Sequence, residues 1–578
     1  MTDHAPAVAM SARRPAFPAV NGEALLLAGL LLYLGVLALW PLARLFAEAL
    51  APADGAPFGL LAEVWGSRAT RRALVNTLEA GLWSALLSVA IGTAAALLVG
   101  LTDVRAKSAV VFLLLIPLLI PPQITALAWL ELAGPSSPIL GPVGLAPPPG
   151  GTNPLYSAGG VILVMGVEHA TIVFLAVRAG LRALPRDLVE AARLSGAGPL
   201  RVTAGVILPL LRPAVLAGAA LAFVSAIGNF GVPALLGIPG RYPVLTTLIY
   251  QRLNGFGPKV LGEVAALALI LAVLAAAGLG LRALLASRGS AVVDRTAGGA
   301  APFALGRARP WVEAALWGAL LVLSVLPLLA LLAASLSPAL GVAPGPDTAT
   351  LANYRFALLE QEAVRRAFAN SFALAATAAA VSALVGVPLA YLLVFRRSRV
   401  ARVLDLAADA PYAVPGIVLS IAVILVFLPP LPLLGFSLYG TMGILLAAYL
   451  ARFLALALRP AVAGMETLDR ALEEAAQVAG AGVLRRLVTV ILPLAAPSAA
   501  AGGLLVFMTA FNELTVSALL WSTGNETLGV MVFALHYEGN SPAAAAVAAV
   551  SVAVTLALAL LVSLAGRRLP EGVVPWRA

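Results

Sequence analysis

Apolar residues run through this chain in long blocks separated by short polar breaks. The first block spans about Glu23 to Leu45, and others lie near 73 to 101, 108 to 133, 157 to 181, 212 to 237 and 260 to 286. Six more follow near 310 to 336, 366 to 395, 403 to 428, 438 to 460, 495 to 520 and 541 to 566. Blocks of about 20 residues match the length a helix needs to cross the hydrocarbon of a bilayer. A helix also keeps its backbone hydrogen bonds inside the segment, as that solvent demands. Short alternating strands of the kind a transmembrane barrel needs are not seen. The pattern predicts an all-α membrane protein with about twelve spans, six in each half.

The halves are copies. The stretch from Asp187 to Pro213 (DLVEAARLSGAGPLRVTAGVILPLLRP) recurs 284 residues later as Ala471 to Pro497 (ALEEAAQVAGAGVLRRLVTVILPLAAP). Arg71-Arg72-Ala73 with Asn76-Thr77 recurs as Arg365-Arg366-Ala367 with Asn370-Ser371, and Gly92 matches Gly386. Pro117 and Pro121 recur as Pro411 and Pro415. Prolines inside a span free backbone groups that need new partners, so these pairs predict corresponding bends, either beside a central path or as ordinary kinks against a neighbour. The division is 1–22 as a cytoplasmic N-terminal segment, 23–287 as the first half, 288–309 as a linker, 310–566 as the second half and 567–578 as a tail. The linker shows as a change to Gly, Ala, Pro and Arg. Arg13-Arg14 ahead of the first apolar block has the outline of a signal peptide, but the block is too long for a cleaved signal and reads as the first span.

Composition agrees: 61% of the 578 residues are hydrophobic and 11% charged, with a mean hydropathy of +0.99. The net charge of +10 would suit a nucleic-acid partner in a soluble protein. Here the basic residues gather in short loops flanking apolar blocks, which marks orientation in a bilayer. With twelve spans, that bias puts both termini and both copies of the repeated stretch on the cytoplasmic side. Arg71-Arg72, Arg241 and Arg365-Arg366 run against it. The absence of cysteine excludes disulfides and thiolate metal sites within the chain.

On a helical period Leu184, Leu188, Ala191, Ala192 and Ser195 share one face, opposite Arg186, Glu190 and Arg193. The second copy sets Leu468, Leu472, Ala475, Ala476 and Ala479 against Arg470, Glu474 and Gln477. Both loops, 182–212 and 466–497, therefore predict a short amphipathic helix. Pro185 suits the start of the first and Asp469 the cap of the second. Gly196 and Gly480 suit the left-handed turn that ends each. Glu190 and Glu474 read either as surface ion pairs with neighbouring arginines or as part of a face that docks into a partner.

These repeated stretches resemble the Glu-Ala-Ala loops of membrane subunits of binding-protein-dependent ABC importers, carried here by Glu190-Ala191-Ala192 with Gly196 and by Glu474-Ala475-Ala476 with Gly480. The six-plus-six arrangement resembles the fused permeases of the ferric-iron type. Phe230-Gly231-Val232-Pro233, Asn512-Glu513-Leu514-Thr515 and Thr527-Leu528-Gly529 are similar to that subgroup too. The resemblance implies a type I importer permease fold in a bacterial cytoplasmic membrane, surrounded by lipid. It also implies ATPase subunits, two copies, docked on the loops, and an extracytoplasmic binding protein delivering a solute, with ferric iron first and thiamine, a polyamine or an organophosphonate as alternatives. The chain has no GxxxxGK[ST] phosphate loop, and its lysines are only Lys107 and Lys259. ATP and its Mg are therefore expected on the partner, with no cofactor on this chain and no catalysis by it.

Polar groups within spans are costly and invite a functional reading. Glu168, His169, Asn229, Asn512 and Glu513 are the candidate pathway residues, with Glu131 a further one. Asn229 and Glu513 fall at aligned positions and are expected near each other across the pseudo-twofold axis. A carboxylate there suits a hard cation or a buried interhelical hydrogen bond. No cluster has metal-ligand spacing. An ion-driven secondary transporter would share the spans and the duplication, and a membrane enzyme would need a catalytic cluster beyond Glu168-His169.

Overall fold

A computed structural model describes residues 22–52, 56–255, 259–288, 303–342, 344–431 and 435–565. The expected N-terminal segment and C-terminal tail, and most of the linker, lie outside the described residues.

Among the described residues, nine helices recur in the same order in each half. The first half has α1 (Gly22–Leu50), α2 (Arg68–Leu101), α3 (Lys107–Leu119), α4 (Pro122–Ala133), α5 (Ala158–Arg182), α6 (Arg186–Leu194), α7 (Pro199–Gly228), α8 (Leu245–Leu253) and α9 (Val260–Arg288). The second repeats them as α10 (Gly306–Ser335), α11 (Glu362–Arg396), α12 (Arg399–Ala413), α13 (Gly416–Phe427), α14 (Met442–Glu466), α15 (Arg470–Val478), α16 (Val483–Phe511), α17 (Leu528–Tyr537) and α18 (Ser541–Ala565). Among the described residues ten helices are long and apolar enough to span a membrane, or twelve if each bent pair counts as one span.

The bent pairs are α3–α4 and α12–α13, which turn by 106° and 108°. The repeated prolines are the cause. A residue before proline is pushed out of the helical region, and Ile120 and Val414, ahead of Pro121 and Pro415, have extended backbones. Pro121 and Pro415 then sit at the start of the next helix, where a missing N–H costs nothing. Every residue of α13 is buried, which explains a sequence that is apolar except for Ser420, whose hydroxyl donates to the Gly416 carbonyl at 3.0 Å: a helix with no exposed face has no place for a polar stripe.

The first helix of each half packs on the other half. Leu30, Leu34 and Ala38 of α1 join a cluster built from α11, α12, α14 and α16, and the Tyr33 hydroxyl donates to the Leu450 carbonyl at 2.9 Å. Leu316 and Leu320 of α10 join the matching cluster of the first half. A third cluster crosses the middle, with Ile124 and Leu127 of α4, Val264 to Ala272 of α9, Ile417 to Phe427 of α13 and Ala543 to Ala548 of α18. Sequence halves and packing units therefore differ by an exchanged helix.

The loops after α7 and α16 are pinned to the starts of α2 and α11 by the repeated Arg–Asn–Thr/Ser motif. Asn76 Nδ2 donates to the Pro243 carbonyl (2.7 Å) and Thr77 Oγ1 accepts from the Leu245 N–H (2.8 Å). In the second half Asn370 Nδ2 donates to the Glu526 carbonyl (3.0 Å) and Ser371 Oγ accepts from the Leu528 N–H (2.9 Å). Arg366 pairs with Glu526 at 3.4 Å. Arg71 and Arg72 donate to the Gly66 and Arg241 carbonyls at 2.8 and 3.3 Å, so three of the arginines that run against the loop-charge bias have partners in the fold.

Candidate functional site: two surface helices and a cavity between the halves

The two predicted surface helices form at matching places. Pro185 and Asp469 are their N-caps, and the Asp469 carboxylate accepts from the Ala471 N–H at 3.0 Å. Gly196 and Gly480 end them with φ of +80° and +77°, a conformation that penalises any residue with a Cβ. The next helical pieces, from Pro199 and Val483, run straight on into the spans.

Their buried strip differs from the face counted on the sequence. Leu184 and Val189 are buried and Ala192 half-buried, while Leu188, Ala191 and Ser195 are exposed. Leu184 precedes the extended Pro185, so its phase does not carry into the helix. The same holds in α15, where Glu473 is buried, Leu468 and Ala476 half-buried, and Leu472, Ala475 and Ala479 exposed. What remains uncovered is a patch of acid and apolar groups. Glu190 and Glu474 are exposed, beside Leu188 and Leu472 at 47% each and Leu194 and Val478 at 89% each. Isolated exposed leucines need no explanation, but the same pair beside the same acid in two places does.

Two of the arginines named in the surface ion-pair reading, Arg470 and Arg193, are engaged elsewhere. Arg470 donates to the Val394 carbonyl at 3.1 Å, Arg193 lies over the Phe303 ring at 5.2 Å, and neither Glu190 nor Glu474 makes a described salt bridge.

Beneath α15 the halves diverge. Val189 and Val202, both buried, correspond to Glu473 and Arg486. Glu473 accepts from the Tyr391 hydroxyl at 2.8 Å and lies 3.1 Å from Arg486 Nε. Nothing in the repeat singled out this group, because the matching positions in the first copy are apolar; the departure itself was the signal.

Between the halves lies a cavity of about 920 Å³. At its inner end are Gly228, Val414, Pro415 and Arg452, and along its length Arg282, Asp409, Tyr412 and Arg459. Gly464 and Thr467 also line it, and α15 starts only three residues beyond Thr467. The cavity thus opens on the face that carries the surface helices. At the other face Phe230, Tyr250, Phe533 and Tyr537 form a chain of rings with centroids 4.6 to 6.0 Å apart. The Tyr537 hydroxyl bonds the Ala234 carbonyl across the halves at 2.6 Å.

Glu168, His169, Asn229, Asn512 and Glu513 sit behind the inner wall of this cavity and are buried, whereas Glu131, near the end of α4, is half-buried. Asn229 Nδ2 donates to Glu168 Oε2 at 3.3 Å, and its Oδ1 accepts from the Val232 N–H at 3.1 Å. Glu513 accepts from the N–H groups of Val516 and Ser517 at 2.8 and 3.0 Å. The aligned pair therefore does the same work twice, each capping the short helical turn that follows it; no hydrogen bond joins Asn229 to Glu513 among the described residues. Asn512 receives a bond on its carbonyl from Gln123 Nε2 at 2.8 Å, across the halves, and its Nδ2 donates to Thr555. His169 lies 3.8 Å from Glu168, and its Nδ1 has no partner among the described residues. Gly231 explains part of the Phe-Gly-Val-Pro motif: a Cβ there would meet the Gln123 backbone nitrogen at 2.8 Å.

Sequence spacing missed Arg452. It is the counterpart of Glu168 in the repeat, it lines the cavity, and it donates to the Val414 carbonyl at 3.3 Å.

A duplicated all-α bundle with two surface helices on one face and a cavity between its halves is the architecture of a membrane permease. The chain belongs to the family of binding-protein-dependent transport system inner membrane components, whose model matches residues 55–290 and again 382–573. It is 29% identical to an ABC transporter permease protein of Sinorhizobium fredii over 72% of this chain and 73% of that one. It is 25% identical to a ferric transport system permease protein of Haemophilus influenzae over 65% and 58%. It is 29% identical to a 2-aminoethylphosphonate transport system permease protein of Salmonella choleraesuis over 41% and 83%. These relatives are permease components, and the chain is a multi-pass inner-membrane permease of this duplicated, ferric-type kind.

Proposed function

We propose that the protein forms the translocation path of an ATP-driven importer, in which α6 and α15 dock on two ATPase subunits and an extracytoplasmic binding protein delivers the solute. The observation that carries this reading is the twice-repeated exposed patch of Glu190, Leu188 and Leu194, and of Glu474, Leu472 and Val478. An apolar patch rimmed by charge, made twice by one sequence motif, fits two copies of one partner.

On this reading the face bearing the patches is cytoplasmic, as the loop charges indicate, and the cavity faces inward. ATP binding draws the two ATPases together, the docked helices follow, and the aromatic chain at the outer face parts while the cavity closes. Such a change is a shift between two packings of the halves, driven by the differential affinity of the partner for each. The solute belongs to the class carried by the relatives, with ferric iron first by resemblance and a phosphonate as the alternative.

Reconstitution with the ATPase and binding protein tests this: uptake is expected only with ATP inside the vesicles. Uptake that persists without ATP under an imposed ion gradient would place the protein among secondary transporters instead.

A further inference from the structure

The cavity has a sign. Of its ionisable lining groups, Arg282, Arg452 and Arg459 are cationic and Asp409 alone is acidic. Asp409 is already engaged by Arg459, which also holds Asp405 at 3.0 Å. Arg452 stands at the inner end, half-buried. One nitrogen donates to the Val414 carbonyl and its guanidinium sits 6.0 Å from the Tyr412 ring centroid. A guanidinium carries five donors in a planar fork, so this one keeps most of them for another group. Glu513 lies behind it within electrostatic reach. Its carboxylate oxygens are taken by Val516 and Ser517, and it makes no described salt bridge with Arg452.

A pre-oriented arginine at the closed end of a low-dielectric cavity favours a planar or tetrahedral oxyanion, which accepts two parallel N–H bonds. A bare cation entering the same space meets Arg282 and Arg452, while the two aspartates that could attract it are held by Arg459. We propose that this cavity is an anion site, taking the phosphonate or carboxylate end of the transported solute on Arg452, with Arg459 held back by its aspartates. The proposal rests on the importer reading. It means that ferric iron, if carried, passes as an anionic chelate.

Equilibrium dialysis of the nucleotide-free permease–ATPase complex against 2-aminoethylphosphonate, citrate, ferric citrate, spermidine and thiamine tests it. Retention of the phosphonate points to a free oxyanion, and retention of ferric citrate but not citrate points to the chelate. Arg452→Gln is expected to weaken retention on the order of tenfold or more. Asp409→Asn, which releases part of the hold on Arg459, is expected to strengthen it, an effect that misfolding cannot imitate. Retention of spermidine or thiamine in place of anions overturns the proposal, as does retention of no probe, or anion binding indifferent to both substitutions. ATP-driven uptake by the reconstituted wild type, measured in parallel, separates the two readings: uptake with any of those dialysis results rejects the anion site alone, and no uptake rejects the importer.

Discussion

At the scale of single residues, the duplication is most informative where it fails. Val189 and Val202 of the first half become Glu473 and Arg486 of the second, with Tyr391 closing the group. Removing one member of a buried ion pair strands the other, at about 3–5 kcal/mol, whereas replacing both by apolar groups is often neutral. Glu473→Val and Arg486→Val alone are therefore expected to lower the thermal unfolding midpoint and loosen the seat of α15. The double variant with Tyr391→Leu, which rebuilds the first half's apolar arrangement, is expected to recover most of the loss. Recovery absent from that triple variant would mean the group does more than hold the helix. Gly196→Ala and Gly480→Ala meet no neighbour within 4 Å, so their cost is the left-handed backbone alone, about 1–2 kcal/mol each. Association with the ATPase is expected to weaken while the membrane bundle stays folded. Circular dichroism together with co-purification checks this.

At the scale of elements, the prolines, the glycines at the ends of α6 and α15, and the caps were legible in the sequence because each acts through its own backbone. The 106° and 108° turns at Pro121 and Pro415 follow from which residues precede proline. The buried strip of α6 was not legible, since it depends on how the helix lies across the bundle: Val189 goes inward and Leu188 outward for reasons of tertiary packing. Arg452 stayed hidden for a similar reason, as its role comes from two halves meeting at Pro415. The loop before α17 offers a test at this scale. Glu526 loses hydration by burial, which by itself raises its carboxyl, but the Gly524 N–H and Arg366 outweigh that and hold it below the usual carboxylate range. A group depressed on folding contributes stability above its unfolded value and loses it as pH falls through the folded one. Acidification through and below the ordinary carboxylate range is thus expected to release this loop, seen as increased proteolysis between residues 520 and 528. Glu526→Gln is expected to release it already at neutral pH. A loop equally protected in both would refute the role assigned to the pair.

At the scale of the molecule, the exchanged first helices and the shared central cluster tie the halves together, the cavity separates them on the face of the surface helices, and the aromatic chain joins them at the other face. Tyr33 on α1 reaches Leu450 of the other half, and Tyr537 reaches Ala234. On the importer reading, only the second kind of contact has to break for the face opposite the surface helices to open. Tyr537→Phe is expected to shift the resting population toward the open-outward form and to raise ATP hydrolysis without solute. An unchanged basal rate would argue that this hydroxyl is not part of the closure.

The central claim is that α6 and α15 are the seats of two ATPase subunits. Because the chain contains no cysteine, Glu190→Cys and Glu474→Cys give single reactive thiols with no background from the permease. Thiol crosslinking in the complex purified from membranes is expected to join each position to an ATPase subunit, with yields that change when ATP is added. Absence of any crosslink from both positions, in a preparation that still takes up solute with ATP, would contradict the account.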